Sequence, residues 1–437
     1  MWTSILIFAV CYFFIATEKI DKTVIALIGA FLVIAFQLVP YEHALEKVDL
    51  NVIYLLIGMM VVVGILASTG LFEWIAIVVA QKAKGSGLRL LVLLCLVTAV
   101  LSAFLDNVTT IILIAPVTIL ITQLLEIPTV PFLIFETIAS NIGGTGTQIG
   151  DPPNIIIGSQ SSLGFNDFIV HLGPAAVVIL VVILVVQVLL MGGKFTVGDR
   201  AKRRLAEACP ELAIIHPLRL RNALIVLAIL FAGFFFGHLL HIETGIVALG
   251  GAMLMVLVCK IPLEEGLEKV EWNTILFFVG LFMLVGALEE NGLFELLGNG
   301  LVDLTGGNLL LTCIAILWFS ALFSACVDNI PLVIATIPII QTIIPEYAAS
   351  LNLVEGSEGC MTLVAEPLYW SLALGACLGG NGSLIGASAN VVVAQIATRN
   401  NYRMSFMDFT RVGFPIMLLS VTLATGYVYL RYFLLRS

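Results

Sequence analysis

Apolar residues follow one another along this chain in blocks about as long as a bilayer is thick, broken by short charged clusters. Runs such as Ala175–Leu190, with no charge at all, approach the ~20 apolar residues that cross a hydrocarbon core as helix. The pattern predicts spans near 3–17, 23–39, 51–68, an interrupted one from 131 to about 165, and 168–192. It then repeats near 223–238, 244–259, 273–288, 367–398 (again interrupted) and 412–433. Two further apolar stretches, 90–125 and 311–344, each carry an Asp-Asn pair at mid-length and read as re-entrant hairpins. Gly192–Arg221 is the one long polar stretch, and it joins the two halves.

The halves are copies. A shift of 222 carries Pro40 to Pro262, Glu46-Lys47-Val48-Asp49 to Glu268-Lys269-Val270-Glu271, and Gly58, Gly64 and Gly70 to Gly280, Gly286 and Gly292. The same shift places Ser102-Ala-Phe-Leu-Asp-Asn107 on Ser324-Ala-Cys-Val-Asp-Asn329. Further on the shift becomes 236, and Gly143-Gly144, Gly150 and Asn154 fall on Gly379-Gly380, Gly386 and Asn390. Apolar sequence matches itself easily, but Pro, Gly and Asp-Asn positions at one constant offset do not recur by accident. Duplicated halves in a hydrophobic chain are a mark of secondary transporters.

Charge orients the scheme. Seventeen of the twenty Lys and Arg, from Lys19 and Lys22 through the linker to Arg411, fall in loops on one side; Lys47, Arg431 and Arg436 fall opposite. The positive-inside rule then puts the linker in the cytoplasm and both termini outside. An odd number of crossings in each half makes the second copy enter upside down. The stretch 289–308, with Glu289, Glu290, Glu295 and Asp303 and no base, is the acidic counterpart of a basic segment in the first half. Segments 71–84 and 293–303 read as amphipathic helices at opposite interfaces. The expected fold is therefore an all-α polytopic membrane protein of two inverted-topology repeats. Each has about five transmembrane helices, one of them broken, plus one re-entrant hairpin. Repeat one is 1–192, the cytoplasmic linker 193–222, and repeat two 223–437.

Composition agrees and narrows the classes. Hydrophobic residues make up 60% of the chain and charged ones 11%, against about a quarter charged in soluble proteins. Mean hydropathy is +1.11. The net charge of -9, with no basic patch interleaved with aromatics, argues against nucleic acid as a partner. The eight cysteines are scattered singly and read as small apolar fillers. Met1–Thr17 lacks a basic start and a cleavage site, and reads as a retained span. No enzymatic constellation emerges, and the expected setting is a prokaryotic inner membrane.

Two features carry the chemistry. Asp106-Asn107 and Asp328-Asn329 each sit amid about 35 otherwise uncharged residues, and a carboxylate at mid-membrane costs several kcal/mol. At a hairpin tip, two half-helices leave backbone groups unpaired, which is tolerated only against protein, water or a ligand. Asp can also simply cap the second half-helix there, in the first copy through Thr109 or neighbouring amides. The second feature is the pair of helix breaks. Ser140–Asn154 holds Gly143, Gly144, Thr145, Thr147, Asp151 and Asn154 around further glycines and a Pro-Pro pair. Leu378–Asn390 holds Gly379, Gly380, Asn381, Ser383 and Asn390. Unwound segments offer carbonyls to a cation, and half-helix N-termini offer amides to an anion. Asp151, whose counterpart is Ala387, reads equally as a proton site or as a cap before Pro152. Glu136, Glu73 and Glu295 read as structural or interfacial, and His43, His171, His216, His238 and His241 as span-end residues. No Lys or Arg is expected at the centre.

These motifs closely resemble the ion transporter superfamily that holds sodium-coupled dicarboxylate carriers, arsenite permeases, a class of sodium/proton antiporters and the melanosomal P protein. Ala103–Thr110, Gly143–Asn154 and Val327–Pro331 look most like the P protein and arsenite-permease branch. The resemblance implies a homodimer of scaffold and transport domains, the latter holding hairpins and broken helices and sliding as an elevator. In the dicarboxylate carriers each tip bears a Ser-Asn-Thr triplet, whose Asn helps hold sodium and which meets the substrate carboxylate. Here the triplets are Asp106-Asn107-Val108 and Asp328-Asn329-Ile330. The Asn positions and the preceding Ser102 and Ser324 carry over, and the substrate-facing Ser and Thr do not.

The resulting expectation is a secondary active transporter of a small ion, proton- or sodium-coupled. Asp106 and Asp328 would bind cation or proton alternately, and Asn107, Asn329 and the broken-helix carbonyls would complete the site. It needs no cofactor; sodium ions are the candidate occupants at Asp106, Asn107, Asp328 and Asn329. Several carboxylates with no fixed cation beside them disfavour an anion. The rivals are arsenite efflux, a sodium-coupled dicarboxylate or other anion carrier, and a passive anion channel. The mobile part would be 90–165 with 311–398, and the other spans a fixed dimer scaffold.

Overall fold

The computed structural model describes residues 2–17, 20–161, 163–195, 197–207, 209–289 and 292–435. Lys19, Glu290 and Arg436, counted above among the loop charges, lie outside the described residues. Among those described, regular structure is helical throughout. The first half contains α1 (Trp2–Thr17), α2 (Lys22–Ala35), α3 (Leu50–Ala67), the hairpin α4 (Gly87–Phe104) and α5 (Asn107–Leu124), the broken pair α6 (Val130–Thr145) and α7 (Pro152–Gln160), and α8 (Gly173–Met191). The second half repeats the order with α9 (Pro217–Gly237), α10 (Thr244–Cys259), α11 (Trp272–Glu289), the hairpin α12 (Leu309–Ser324) and α13 (Asn329–Ser350), the broken pair α14 (Glu366–Gly379) and α15 (Ser388–Arg399), and α16 (Phe406–Tyr429).

Boundaries move for local reasons. α2 stops short of the predicted 39, where Gln37 turns into the left-handed region at φ +52°. α9 starts earlier than predicted, on Pro217, a residue suited to a first helical turn. The two amphipathic segments are helices, Leu71–Lys82 and Leu293–Leu304, the latter meeting α12 at 118°. Glu73 and Glu295 are exposed on them. The linker is partly ordered. It forms a helix at Asp199–Ala206 and a 3-10 turn at Pro210–Ala213, and packs on Leu71–Lys82. There the Ile215 N–H donates to the Thr69 carbonyl at 3.0 Å.

Packing repeats with the sequence. α2 lies on α11 and α10 lies on α3. A β-carbon on Gly58 would come within 2.6 Å of the Ala248 carbonyl oxygen, and one on Gly280 within 3.0 Å of the Ala26 carbonyl oxygen. The shift of 222 converts one contact into the other, with the two halves exchanged. The same holds among the hairpins. α4 packs on α6 and α12 on α14, with Gly143 against the Ala99 carbonyl and Gly379 against the Ala321 carbonyl. Small residues permit these close crossings, because dispersion and complementary packing carry helix association in lipid. α8 and α16, assigned above to the scaffold, pack against each other and against the hairpin and broken helices.

Gly143→Ala and Gly379→Ala will each lower the thermal unfolding midpoint in detergent by several degrees, because overpacking costs about 1–3 kcal/mol. Gly426→Ala, with nothing within 4 Å, is the control and should be neutral or slightly stabilising. Equal midpoints in all three variants would show that these crossings are not tight.

Candidate functional site

The two hairpin tips are built alike and then diverge. Asp106 precedes α5 and caps it. Its Oδ1 accepts from the Thr109 N–H at 2.8 Å and its Oδ2 from the Thr109 hydroxyl. Asp328 precedes α13, but Pro331 stands where Thr109 stands in the first copy. Proline has neither a backbone donor nor a hydroxyl. Asp328 Oδ1 therefore accepts only from the Ile330 N–H, at 3.3 Å, and Oδ2 turns elsewhere. It accepts from Lys22 Nζ at 2.6 Å and from the Ser388 hydroxyl at 3.1 Å. Lys22 Nζ also donates to Ser388 Oγ at 3.1 Å and lies 5.0 Å from the centroid of Phe277.

Lys22 corrects the sequence reading in one respect: a fixed cation does stand at the centre. The sequence places it in a loop. In the fold it opens α2, directly below the second tip.

The helix breaks are closed by side chains. Asn154 Nδ2 donates to the carbonyls of Gly144, Thr145 and Thr147 at 3.4, 3.1 and 2.8 Å. Asn390 Nδ2 does the same to Gly380 and Ser383, both at 2.8 Å. These carbonyls, expected to face a cation, are bonded in this way to fully buried amides. Thr147 donates to the Ala103 carbonyl and Ser383 to the Ala325 carbonyl, equivalent bonds that tie each break to its hairpin tip. Gly150 and Gly386 let the Ser102 and Ser324 carbonyls approach; a β-carbon there would sit 2.7 and 2.8 Å from those oxygens.

Between the tips lies a buried polar network. Asn107 Nδ2 donates to Asn141 Oδ1 at 3.1 Å. Asn141 Nδ2 donates to Asn381 Oδ1 at 2.9 Å and Asn390 Oδ1 at 3.0 Å. Ser140 donates to Ser102 Oγ at 3.0 Å and the Asn107 carbonyl at 3.2 Å. In the other copy Asn329 Nδ2 donates to Asp151 Oδ1 at 3.4 Å, and Cys377, the counterpart of Asn141, to Asn154 Oδ1 at 3.5 Å. Ser324 donates instead to the Ala376 carbonyl at 2.8 Å. One half of this core is thus neutral amide and the other contains an acid. Asp151 makes no capping bond to its own helix, which removes the cap reading. Its Oδ2 and Asn107 Oδ1 are buried oxygens without a hydrogen-bond partner. Uncompensated buried acceptors are costly, and here they are oxygens suited to a hard cation. Among the described residues no three His, Cys, Asp or Glu cluster as a metal site.

Asp106, Asn107, Asp151, Asp328 and Asn329 all line one cavity of about 350 Å³, with Lys22, Glu271 and Ser388. Burial, and next the charge of Asp106, holds the Glu271 carboxyl above its usual range. The cavity meets the starts of α2 and α11, at the basic loops. A larger cavity of about 850 Å³ opens between α7, α9, α10 and α13 and holds none of these aspartates. Gly143, Gly144, Gly379 and Gly380 serve close packing, and Thr145 donates to the Asn141 carbonyl at 2.8 Å. Glu136 is fully buried away from the cavity and accepts from Thr118 at 2.8 Å. Lys22, Asn141, Ser388 and Glu271 escape the sequence reading. Asn141 carries a signal there, a polar residue next to the first glycine break; Lys22 carries none.

The family described as CitMHS, citrate transporter, matches residues 12–375. The chain belongs to that family. Relatives align over nearly its whole length. An uncharacterized transporter of Mycobacterium tuberculosis (strain H37Rv) is 42% identical, over 99% of each chain. The P protein of Mus musculus is 33% identical over 98% of this chain, which spans 60% of that protein's length. The YdaH transporter of Alcanivorax borkumensis superposes with a TM-score of 0.60 at 13% identity, over 89% of this chain and 86% of that one, a likeness of fold. The chain is a transporter of the membrane.

Proposed function

We propose that this CitMHS-family transporter exchanges a small cation for protons, with Asp106, Asp151 and Asp328 as the exchanging carboxylates. The observation that carries the reading is their convergence, with both hairpin tips, on one cavity. Lys22 offsets one charge of the five acids lining that cavity, Asp21, Asp106, Asp151, Glu271 and Asp328. The balance still favours a cation. Sodium would rest against Asn107 and Asp151, where buried oxygens lack partners. Burial disfavours a bare carboxylate and a bound cation favours it, so one site can hold either Na⁺ or H⁺.

The positive-inside rule assigns the basic loops to the cytoplasm, so the 350 Å³ cavity is the inward-facing route in an inner membrane. Hairpins, broken helices, α8 and α16 form the mobile body. α2, α3, α10 and α11 belong to the scaffold of a homodimer. Inverted repeats let the outward-facing state be reached by exchanging the conformations of the two halves.

The second reading is an anion carrier, favoured by the family description and by Lys22 at the site. A vesicle panel of Na⁺, Li⁺, arsenite, citrate and chloride, with and without a pH gradient, separates them. Exchange predicts Na⁺ or Li⁺ flux driven by the gradient and no citrate uptake. Gradient-driven citrate accumulation would replace it with the second reading. Gradient-independent, channel-sized chloride currents would exclude the carrier class.

A further inference from the structure

The pair formed by Lys22 and Asp328 joins residues 306 apart in sequence. It also crosses between two packing groups. Lys22 opens α2, held on α11 by the Ala26–Gly280 crossing, whereas Asp328 stands at the tip of the second hairpin. The pair has no counterpart in the other repeat: Lys22 maps to Thr244, and Asp106 satisfies both its oxygens on Thr109. The second tip, with Pro331 in place of that threonine, leaves its carboxylate available to the ammonium. Ser388 bridges the two, accepting from one and donating to the other.

We propose that Lys22 is a tethered cation that takes the place of the transported cation on Asp328, and so holds the unloaded carrier with its second hairpin tip against α2. Resting on the cation-exchange reading above, this assigns Lys22 the coupling role. The hairpin tip cannot leave α2 without breaking a short charge-assisted bond in a site partly shielded from water. An incoming cation that takes Asp328 releases the ammonium, which turns to solvent and to the Phe277 face. Reorientation is then restricted to the loaded carrier, and exchange becomes obligatory. Lys22 acts by position and charge; it is not itself transported.

The test reads conformation and needs no known substrate. In a cysteine-free background, Gln395→Cys places a thiol on the inner cavity, and its labelling by a maleimide is timed in choline buffer. Lys22→Gln and Asp328→Asn should each slow labelling about tenfold or more, a tenfold change being ~1.4 kcal/mol. The double variant should match the singles, because either substitution removes the same bond. Lys22→Arg should restore the parental rate. Flux measured on Lys22→Gln should gain efflux without a counter-ion. Unchanged labelling in the singles, or effects that add in the double variant, would overturn the proposal. If the vesicle panel instead finds no cation exchange, the labelling result still stands or falls independently.

Discussion

Asp106→Asn and Asp328→Asn will each reduce gradient-driven flux in proteoliposomes by about 10- to 150-fold, the range that losing an interaction with a charged group of about 1.5–3 kcal/mol implies. Asparagine keeps the shape and an acceptor oxygen but cannot change charge. The two variants will differ in kind. At Asp106 the change leaves a carboxamide whose oxygen can still cap α5 through the Thr109 N–H, so folding is preserved and the loss is of ion binding. At Asp328 it also frees Lys22, leaving an ammonium in the cavity that repels an incoming cation. Asp328→Asn should therefore raise the cation concentration for half-maximal flux more than Asp106→Asn. Asp151→Asn tests the third carboxylate. Its Oδ2 is buried without a hydrogen-bond partner, so the substitution removes a charge from the cavity and no helix cap. Wild-type flux in both Asp106→Asn and Asp328→Asn would remove the carboxylates from the mechanism.

Locking α3 to α7 on the side away from the basic loops will stop transport almost completely. There Asp49 accepts from Ser159 at 2.8 Å and from Gln160 at 2.6 Å, and Asn51 Nδ2 donates to Ser159 at 3.1 Å. The α3 end is tied to α10 in turn, since Asn51 Oδ1 accepts from the Gly245 N–H at 2.7 Å. The sequence shifts map Asp49 to Glu271 and Ser159 to Gln395. Both counterparts line the 350 Å³ cavity. One clasp is thus made and its equivalent stands open, as two inverted repeats in unlike conformations require. Sliding of the hairpin body would exchange them. Cysteines at 51 and 159 in a cysteine-free background, oxidised, should abolish flux and regain it on reduction. A pair at 47 and 289, where Lys47 meets Glu289 at 2.9 Å within the scaffold, should not affect it. Full activity in the oxidised 51–159 variant would rule out an elevator movement and leave local gating.

Much of this site is legible in the primary structure, and the reasons are local. Asp-Asn at the centre of an apolar run can belong to little else than a hairpin tip. The contrast between Thr109 and Pro331 is visible once the repeats are aligned, although its consequence for Asp328 is not. The breaks are legible from Gly and Pro, but their lining is not. Asn154 and Asn390 look like ligands in sequence and act as staples across the unwound turns. Asp151 reads in sequence equally as a proton site or a cap, and it makes no cap bond.

The sequence by itself determined the spans, the hairpins, the breaks and the duplication. In lipid each segment must satisfy its own backbone, so length, apolarity and helix breakers suffice to define it. The tertiary fold sets which of those segments pack together, as α8 and α16 do with the hairpin and broken helices, and which side chains meet across them. Asn141 reaches Asn381 and Asn390 over 240 and 249 residues, and Lys22 reaches Asp328 over 306. Such pairings depend on helix crossings set by small residues such as Gly58, Gly143, Gly280 and Gly379, where an added β-carbon would come within 3 Å of a neighbouring backbone. Hydrophobic periodicity carries no information at that scale, so the charge balance of the cavity emerged only with the fold.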